Sequence, residues 1–418
     1  MQRALLLDKV KHPIIYVQNV LAAVEDEKDP RNLVMSFDLI YFIITEYFQE
    51  GSIALGEDSQ ELKEQLHESL FDAVSCYYPI NFKPPKNDTY KITPEQLKHG
   101  LAKCMLASSQ LGHLFIPFLL EKLGAAQRAT KLETLELLTQ IVERFSFVKM
   151  KNELSQILSH VSNMYFNVIE DQVQEAASVT IGKTLAALMD TTGSGMASDQ
   201  TGIVFMNGAA ENEEINEFIN RCVQDIQSSP ESMQAGLSSV LLKQISVTTS
   251  RLQVKVTKDV YLNIVEKLCQ GEEPIVNQVA YLTVVIGLTQ AVANSNLHKP
   301  LCAETLENGN VCKMLQDLIL ANTSPLRQGL DQMFFNKLTN TLALYGALLD
   351  LKAKSKVNTD FGSREFQVEI LNRVANNLVK EITASTVESP MSKMSFATLA
   401  KEVNRDSALV EEILLQCY

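Results

Sequence analysis

The chain has 418 residues, of which 46% are hydrophobic and 21% are charged, a balance that excludes intrinsic disorder. Its 37 basic and 50 acidic residues give a net charge of -13, and Lys9-Val10-Lys11-His12 is the densest basic run. Because phosphate contacts require clustered Lys and Arg, direct binding of nucleic acid is not expected.

Apolar residues recur at helical spacing along most of the chain. The i, i+4 spacing predicts helices that each bury one face. Three such stripes are Leu62, Leu66, Leu70, Phe71 and Val74; Leu132, Leu135, Leu138, Ile141 and Val142; and Ile215, Phe218, Ile219, Cys222, Val223 and Ile226.

Prolines predict where several helices begin, because the first helical turn tolerates a residue without an N–H. The predicted starts are Asp29-Pro30, Thr93-Pro94, Ser229-Pro230, Glu273-Pro274 and Ser324-Pro325. Comparable starts recur mostly at intervals of about 45–58 residues, near the length of a two-helix HEAT repeat. We therefore predict an all-α fold, a HEAT-type α-solenoid of about nine stacked helix pairs.

Two segments interrupt this pattern. Residues 78–94 contain four prolines and predict an extended loop that no helix crosses. Residues 190–210 are rich in glycine and predict a flexible connection. The predicted organisation is a first HEAT section at 1–190, a hinge at 191–210 and a second HEAT section at 211–418.

Two short motifs resemble chemical sites. Residues 177–184, ending in Gly182-Lys183-Thr184, resemble a phosphate-binding loop but continue a helical stripe, which predicts a helix instead. Glu64 and His67 have the spacing of a di-iron motif, but this motif occurs once and predicts a solvated helix face. We therefore predict no catalytic residue, no cofactor and no metal site.

Cysteine usage and hydropathy bear on location. Seven single cysteines without a Cys-x-x-Cys pair favour a reduced cytosolic or nuclear setting. The most apolar window, 279–293, is shorter than the roughly 18 residues that a membrane span needs. We expect a soluble protein of the cytoplasm and nucleus with no membrane partner.

The loop before the second predicted helix start combines aromatic residues with prolines. Its candidate partner-binding residues are Tyr77, Tyr78, Pro79, Phe82, Pro84 and Pro85. One interpretation is that the aromatic rings fasten the loop to adjacent helices. The other is a docking ridge, because aromatic side chains supply contact area at low entropic cost. Alanine at Tyr78 and Phe82 is expected to affect folding only mildly.

Four segments resemble a known family: 27–33 (Glu-Lys-Asp-Pro-Arg-Asn-Leu), 74–88 around Tyr-Tyr-Pro-Ile-Asn-Phe, 116–123 (Ile-Pro-Phe-Leu-Leu-Glu-Lys-Leu) and 131–135 (Lys-Leu-Glu-Thr-Leu). They are similar to the HEAT-repeat family named for sensitivity to methyl methanesulfonate. The likeness is specific over 20–145 and rests on helical character beyond that. Family members are much longer, so the resemblance implies a shortened form.

The resemblance implies a non-catalytic adaptor that targets the cytosolic iron–sulfur assembly machinery to apoproteins. Its implied partners are the assembly factors and iron–sulfur clients such as DNA helicases and polymerases. It also implies links to DNA repair, replication and transcription. An alternative from the fold is a transport-receptor-like solenoid that binds cargo or a small GTPase. The oligomeric state is left open.

Overall fold

The computed structural model describes residues 13–48, 60–84, 91–145, 150–192, 213–295, 297, 309–323 and 332–355, and positions 363, 365, 366, 369, 370 and 373. Within these residues the secondary structure comprises fourteen helices up to residue 355, one of which contains a π-helical turn, one short 3-10 turn and helical residues at 365, 366, 369, 370 and 373, and no strand is found. The predicted all-α, solenoid-type fold is therefore confirmed. The fourteen helices account for seven pairs of the described chain.

The chain divides into two compact units, Met1–Met196 and Ala197–Tyr418. The predicted hinge falls largely outside the described residues, so its flexibility stays a prediction. The first unit contains eight helices in its described part: α1 Pro13–Val24, α2 Pro30–Tyr47, α3 Gln60–Ser75, α4 Pro94–Met105, α5 Gly112–Lys122, α6 Arg128–Arg144, α7 Lys151–Asn167 and α8 Asp171–Thr192.

These eight helices form two layers. In the odd layer α1 packs on α3, α3 on α5 and α5 on α7, while in the even layer α2 packs on α4 and α6 on α8. Consecutive helices such as α5 and α6, or α7 and α8, pack across the two layers. This alternation is the packing that stacked helix pairs need, because one pair cannot bury its apolar face alone.

The second unit repeats the arrangement in its described part. Its helices are α9 Glu213–Ser228, α10 Met233–Ser246, α11, α12 Ile275–Asn294, α13 Gly309–Thr323 and α14 Gln332–Ser355. Helix α11 consists of Ser250–Val256, a π-helical turn Thr257–Tyr261 and Leu262–Gln270. The even layer places α12 between α10 and α14, and the odd layer places α11 between α9 and α13.

The helix starts test the proline prediction. Asp29 caps α2 through its bond with the Arg31 N–H, and Thr93 caps α4 within a capping box. The start at Ser229 is wrong, because Ser229-Pro230 lies in a turn and Ser232 caps α10. Helix α12 begins one residue after Pro274, and Ser324-Pro325 lies outside the described residues.

The predicted apolar stripes form much of the core. Buried members are Leu66, Leu70, Val74, Leu135, Leu138, Ile141, Val142, Ile215, Phe218, Ile219, Cys222 and Ile226. Phe71, Leu132 and Val223 are half-buried, and the side chain of Leu62 lies outside the described set. The stripes are therefore confirmed as the faces by which the helices pack.

Helix α12 is longer than the apolar window suggested, with 20 residues. By length and composition it is, among the described residues, the one helix that is long and apolar enough to cross a membrane. Half of its most apolar window is buried, and core helices of soluble proteins pass the same test. Its position between α10 and α14 is that of a core helix.

Candidate interaction surface

The aromatic loop begins where α3 ends, and its first tyrosine binds backward to the turn before α2. The Tyr77 hydroxyl donates to the Glu27 carbonyl oxygen at 3.1 Å. Its ring meets that of Phe37 edge-on, with centroids 5.6 Å apart. Partial burial raises the pKa of Tyr77, so the hydroxyl stays protonated as a donor. Tyr77 therefore links the loop to α2.

Tyr78 anchors the loop from the other side. It is 6% exposed, and its hydroxyl lies 2.7 Å from the Thr134 hydroxyl of α6. Because the Thr134 hydroxyl donates to the Thr130 carbonyl oxygen, Tyr78 is the donor in this pair. Its ring also contacts Phe118 of α5 at a centroid distance of 6.0 Å. Burial raises the pKa of Tyr78 well above its usual range.

The remaining candidate residues lie towards solvent. Pro79, which follows a cis peptide bond, and Phe82 are half-buried, and Pro84 is exposed. Pro85 lies outside the described residues. The structure therefore separates two anchors, Tyr77 and Tyr78, from an accessible rim of Phe82 and Pro84. Fastening of the loop by its tyrosines is observed, and docking of a partner on the rim stays a prediction.

The turn that receives Tyr77 is itself tightly hydrogen-bonded. The Glu27 carboxylate accepts the N–H groups of Lys28 and Asp29, each at 2.8 Å, and the Asn32 side-chain amide at 3.0 Å. Asp29 forms an ion pair with Arg31. Hydrogen bonding to the Arg31 side chain and N–H lowers the pKa of Asp29 to about 2. These bonds fix the Glu27 carbonyl that Tyr77 uses.

Three of the family-like segments contact this loop, which belongs to the fourth, 74–88. Segment 27–33 supplies the Glu27 carbonyl to Tyr77, and segment 131–135 supplies the Thr134 hydroxyl to Tyr78. Segment 116–123 supplies the Phe118 ring. Four stretches that are distant in the sequence therefore build one site around residues 77–84.

The phosphate-loop motif is helical, as predicted. Residues 177–184 lie inside α8, and their N–H groups belong to helical geometry. Ala177 and Ile181 are buried, and Lys183 forms an ion pair with Glu143 of α6 at 2.7 Å. A backbone committed to a helix does not cradle a phosphate.

His67 departs from the predicted solvated face. Its ring lies between Phe48 and His113, with centroid distances of 5.2 Å and 5.9 Å. It therefore packs against aromatic neighbours that sequence spacing does not reveal. Within the described residues, no group of three or more His, Cys, Asp or Glu side chains is placed to hold a metal ion.

Three of the described cysteines are core residues: Cys104, Cys222 and Cys312. Cys104 and Cys222 are fully buried, and burial raises the pKa of each thiol to about 12. Cys76 and Cys269 are exposed, and partial burial raises the pKa of both. These four thiols are therefore protonated at neutral pH.

Sequence reasoning missed the polar contacts that join even-layer helices in the first unit. Lys98 of α4 pairs with Glu133 of α6 at 2.7 Å. On the other side of α6, the Thr139 and Thr180 hydroxyls lie 2.8 Å apart. Helix α6 thus forms ion pairs with both of its neighbours, through Glu133 with α4 and through Glu143 with α8. No spacing rule within one helix signals such pairs.

Stacked helix pairs in two layers, with an anchored aromatic loop, define a HEAT-type helical-repeat protein. Residues 3–167 match the family described as Dos2-interacting transcription regulator of RNA-Pol-II. Over 258 residues, the chain is 26% identical to the MMS19 nucleotide excision repair protein homolog of Xenopus tropicalis. Over part of its length the chain is thus similar to MMS19 proteins, which confirms the resemblance seen in the sequence.

Other relatives match a shorter stretch. The chain is 30% identical over 168 residues to the MMS19 nucleotide excision repair protein homolog of Dictyostelium discoideum, covering 40% of this chain and 14% of that protein. It is 35% identical over 131 residues to the DNA repair/transcription protein MMS19 of Saccharomyces cerevisiae, covering 31% and 11%. The Xenopus tropicalis match covers 61% of this chain and 23% of that protein. The matched part thus spans less than a quarter of these relatives.

Proposed function

We propose that this chain is a non-catalytic adaptor in the targeting step of cytosolic iron–sulfur protein assembly. It would bring assembly factors to apoproteins of DNA repair, replication and transcription, such as helicases and polymerases. The similarity of residues 3–167 to this family, and of the chain to MMS19 proteins, supports this proposal. The relatives' names, which refer to nucleotide excision repair and transcription, support a site of action in the nucleus, and action in the cytoplasm follows only from the proposed assembly role.

The observation that carries the proposal is the convergence of the family-like segments on the aromatic loop. Tyr77 and Tyr78 fix the loop to α2, α5 and α6, so its rim is held in place before a partner arrives. A rigid rim loses little conformational entropy on binding. Phe82 and Pro84 are the aromatic and apolar groups that this rim presents to a partner.

The experiment is affinity capture of the tagged 418-residue chain from cytosolic extract, quantified by mass spectrometry. Wild type is compared with a Phe82→Ala/Pro84→Ala variant. The control is Ile169→Ala, because Ile169 is 85% exposed in the same unit but lies away from the loop sequence. We expect wild type and control to recover iron–sulfur assembly factors or repair helicases, and the loop variant to recover at least fivefold less.

Two outcomes contradict the proposal. Recovery of only chaperones would remove the adaptor role from these repeats, and a coherent set of transport receptors or small GTPases would favour the alternative class. Equal recovery of assembly factors by the loop variant would keep the adaptor but place its docking site elsewhere. Circular dichroism of each variant checks that the helical fold is retained.

A further inference from the structure

The even layer of the second unit presents a face made by three neighbouring helices. We define the α10–α12–α14 face by Met233, Val240, Lys243, Gly287, Lys337 and Asn340. Met233 is 67% exposed and Val240 is 53% exposed, and their spacing of seven residues puts them on one side of α10. The face therefore displays large apolar side chains to solvent.

Lys243 lies across the surface of α12. A Cβ atom at Gly287 would overlap the Cε and Nζ atoms of Lys243, so the glycine makes room for the lysine stem. The ammonium group is thus held above the middle of α12, at Gly287. Burial lowers the pKa of Lys243, and no carboxylate in the described residues offsets this effect.

Lys337 belongs to α14, the helix that packs against α12 on the side away from α10. It lies one turn before Asn340, whose amide donates to the Val279 carbonyl oxygen at 3.2 Å and to the Thr283 hydroxyl at 3.1 Å. Burial also lowers the pKa of Lys337, without an offsetting carboxylate among the described residues. The two half-buried lysines therefore belong to the two helices, α10 and α14, that flank α12.

The sequences of these helices explain why neither lysine has a carboxylate partner on them. Helix α12 contains no charged residue, and α10 contains no Asp or Glu. Helix α14 contains one acidic residue, Asp350, which lies more than three turns beyond Lys337. In a chain with a net charge of -13, three adjacent helices that carry a single carboxylate form a distinct patch.

We propose that the α10–α12–α14 face binds an acidic, amphipathic segment of a partner protein. Apolar side chains of the segment cover Met233 and Val240, and its carboxylates pair with Lys243 and Lys337. This proposal for the α10–α12–α14 face does not depend on the proposed role of the chain in iron–sulfur protein assembly.

The charge pattern favours a peptide over a polyanion. Phosphate backbones are bound by many clustered cations, whereas this face offers two lysines set among apolar groups. Carboxylates next to apolar side chains match that pattern, and ion pairs formed there are shielded from water by the apolar contacts.

The test uses the full chain and a phage-displayed library of random 12-residue peptides. Enriched sequences are synthesised with a fluorescein label and measured by anisotropy. We expect Asp or Glu beside Leu, Ile or Phe, and at least tenfold weaker binding by a Lys243→Glu/Lys337→Glu variant. The matched control is Lys258→Glu/Lys313→Glu, which changes two exposed odd-layer lysines of the same unit and should bind as wild type does.

Several results would overturn the proposal. They are failure to enrich any peptide, equal binding by the Lys243→Glu/Lys337→Glu variant, and equal binding of peptides whose acids are changed to amides. A change of oligomeric state in that variant, measured by light scattering, would assign the face to a second copy of the chain. If the variant fails to fold, Lys243→Gln/Lys337→Gln gives the same test. None of these results alters the capture experiment on the aromatic loop.

Discussion

The two units use the same layered packing but treat their surface charges differently. In the first unit, α6 carries Glu133 and Glu143, and each is paired with a lysine from a flanking helix. In the second unit, α12 holds the same central place but has no charged residue, although the helices on its two sides, α10 and α14, carry Lys243 and Lys337. The first unit thus pairs two lysines of its even layer with carboxylates of α6, whereas the second unit has no such ion pair at Lys243 or Lys337 among the described residues.

The largest predicted effects concern what the two units share, an aliphatic core. Leu138 of α6 and Val285 of α12 are both fully buried. Changing either to Asp places an unpaired charge in the core, and we expect each change to cost about 4 kcal/mol or more of unfolding free energy. Urea denaturation followed by circular dichroism measures both. Glu136→Gln, on the exposed side of α6, is the control and should be close to neutral.

The same two variants test whether the two units have equally packed cores. If Val285→Asp unfolds at the wild-type urea concentration while Leu138→Asp does not, then the second unit lacks the packed core that the first has. The units would then differ in their interiors as well as at their surfaces.

The next effect concerns the loop of the first unit. Tyr78→Ala removes a buried ring and its bond to Thr134, at an expected cost of about 3–5 kcal/mol. Tyr78→Phe keeps the ring and should cost about 1 kcal/mol. Thermal unfolding of the two variants separates packing from hydrogen bonding. A Tyr78→Ala variant as stable as wild type would mean that the ring does not anchor the loop.

The smallest effects come from exchanging the surface charges. Glu143→Gln removes the partner of Lys183 and should cost less than about 1 kcal/mol, because the pair is exposed. Gln290→Glu adds a carboxylate one turn from Gly287, where Lys243 lies. The new carboxylate should raise the free energy of unfolding by about 0.5 kcal/mol, and it should weaken binding of the acidic peptides. Urea denaturation and anisotropy measure these changes.

Lys243 sets the sign of one contribution to the pH dependence of folding stability. Because burial lowers its pKa, the folded protein holds this proton less tightly than the unfolded chain does. The burial of the charged lysine therefore lowers the free energy of unfolding at neutral pH. This destabilisation disappears as the pH rises past the pKa of an ordinary lysine. NMR titration of the lysine side chain should show an upward pKa shift in Gln290→Glu. An unchanged pKa would place the new carboxylate out of reach.

Local chemistry let the sequence predict much of the fold. Asp29-Pro30 and Thr93-Pro94 mark helix starts because the capping side chain and the proline act within one turn. At Ser229-Pro230 the same reasoning is wrong. Ser232 is equally able to cap, and its hydroxyl accepts the Ala235 N–H at 3.1 Å. Packing of α9 and α10, rather than local propensity, selects between the two serines.

Less of the candidate surfaces could be predicted from the sequence. Aromatic residues and prolines at 77–85 pointed to the loop, but the burial of Tyr78 depends on Thr134, 56 residues away. The expectation that Tyr78 is replaceable is therefore contradicted by its environment, and the capture experiment uses Phe82 and Pro84 instead. The position of Lys243 over Gly287 similarly depends on how α10 meets α12.

The bond between Tyr78 and Thr134 also sets an order of events during synthesis. At 5–20 residues per second, the ribosome adds the intervening 56 residues in roughly 3–11 s. Until α6 has emerged, the Tyr78 ring lacks the site that buries it. The nascent first unit therefore exposes an aromatic segment for seconds, and a cell that makes this protein must shield that segment from aggregation until the later helices arrive.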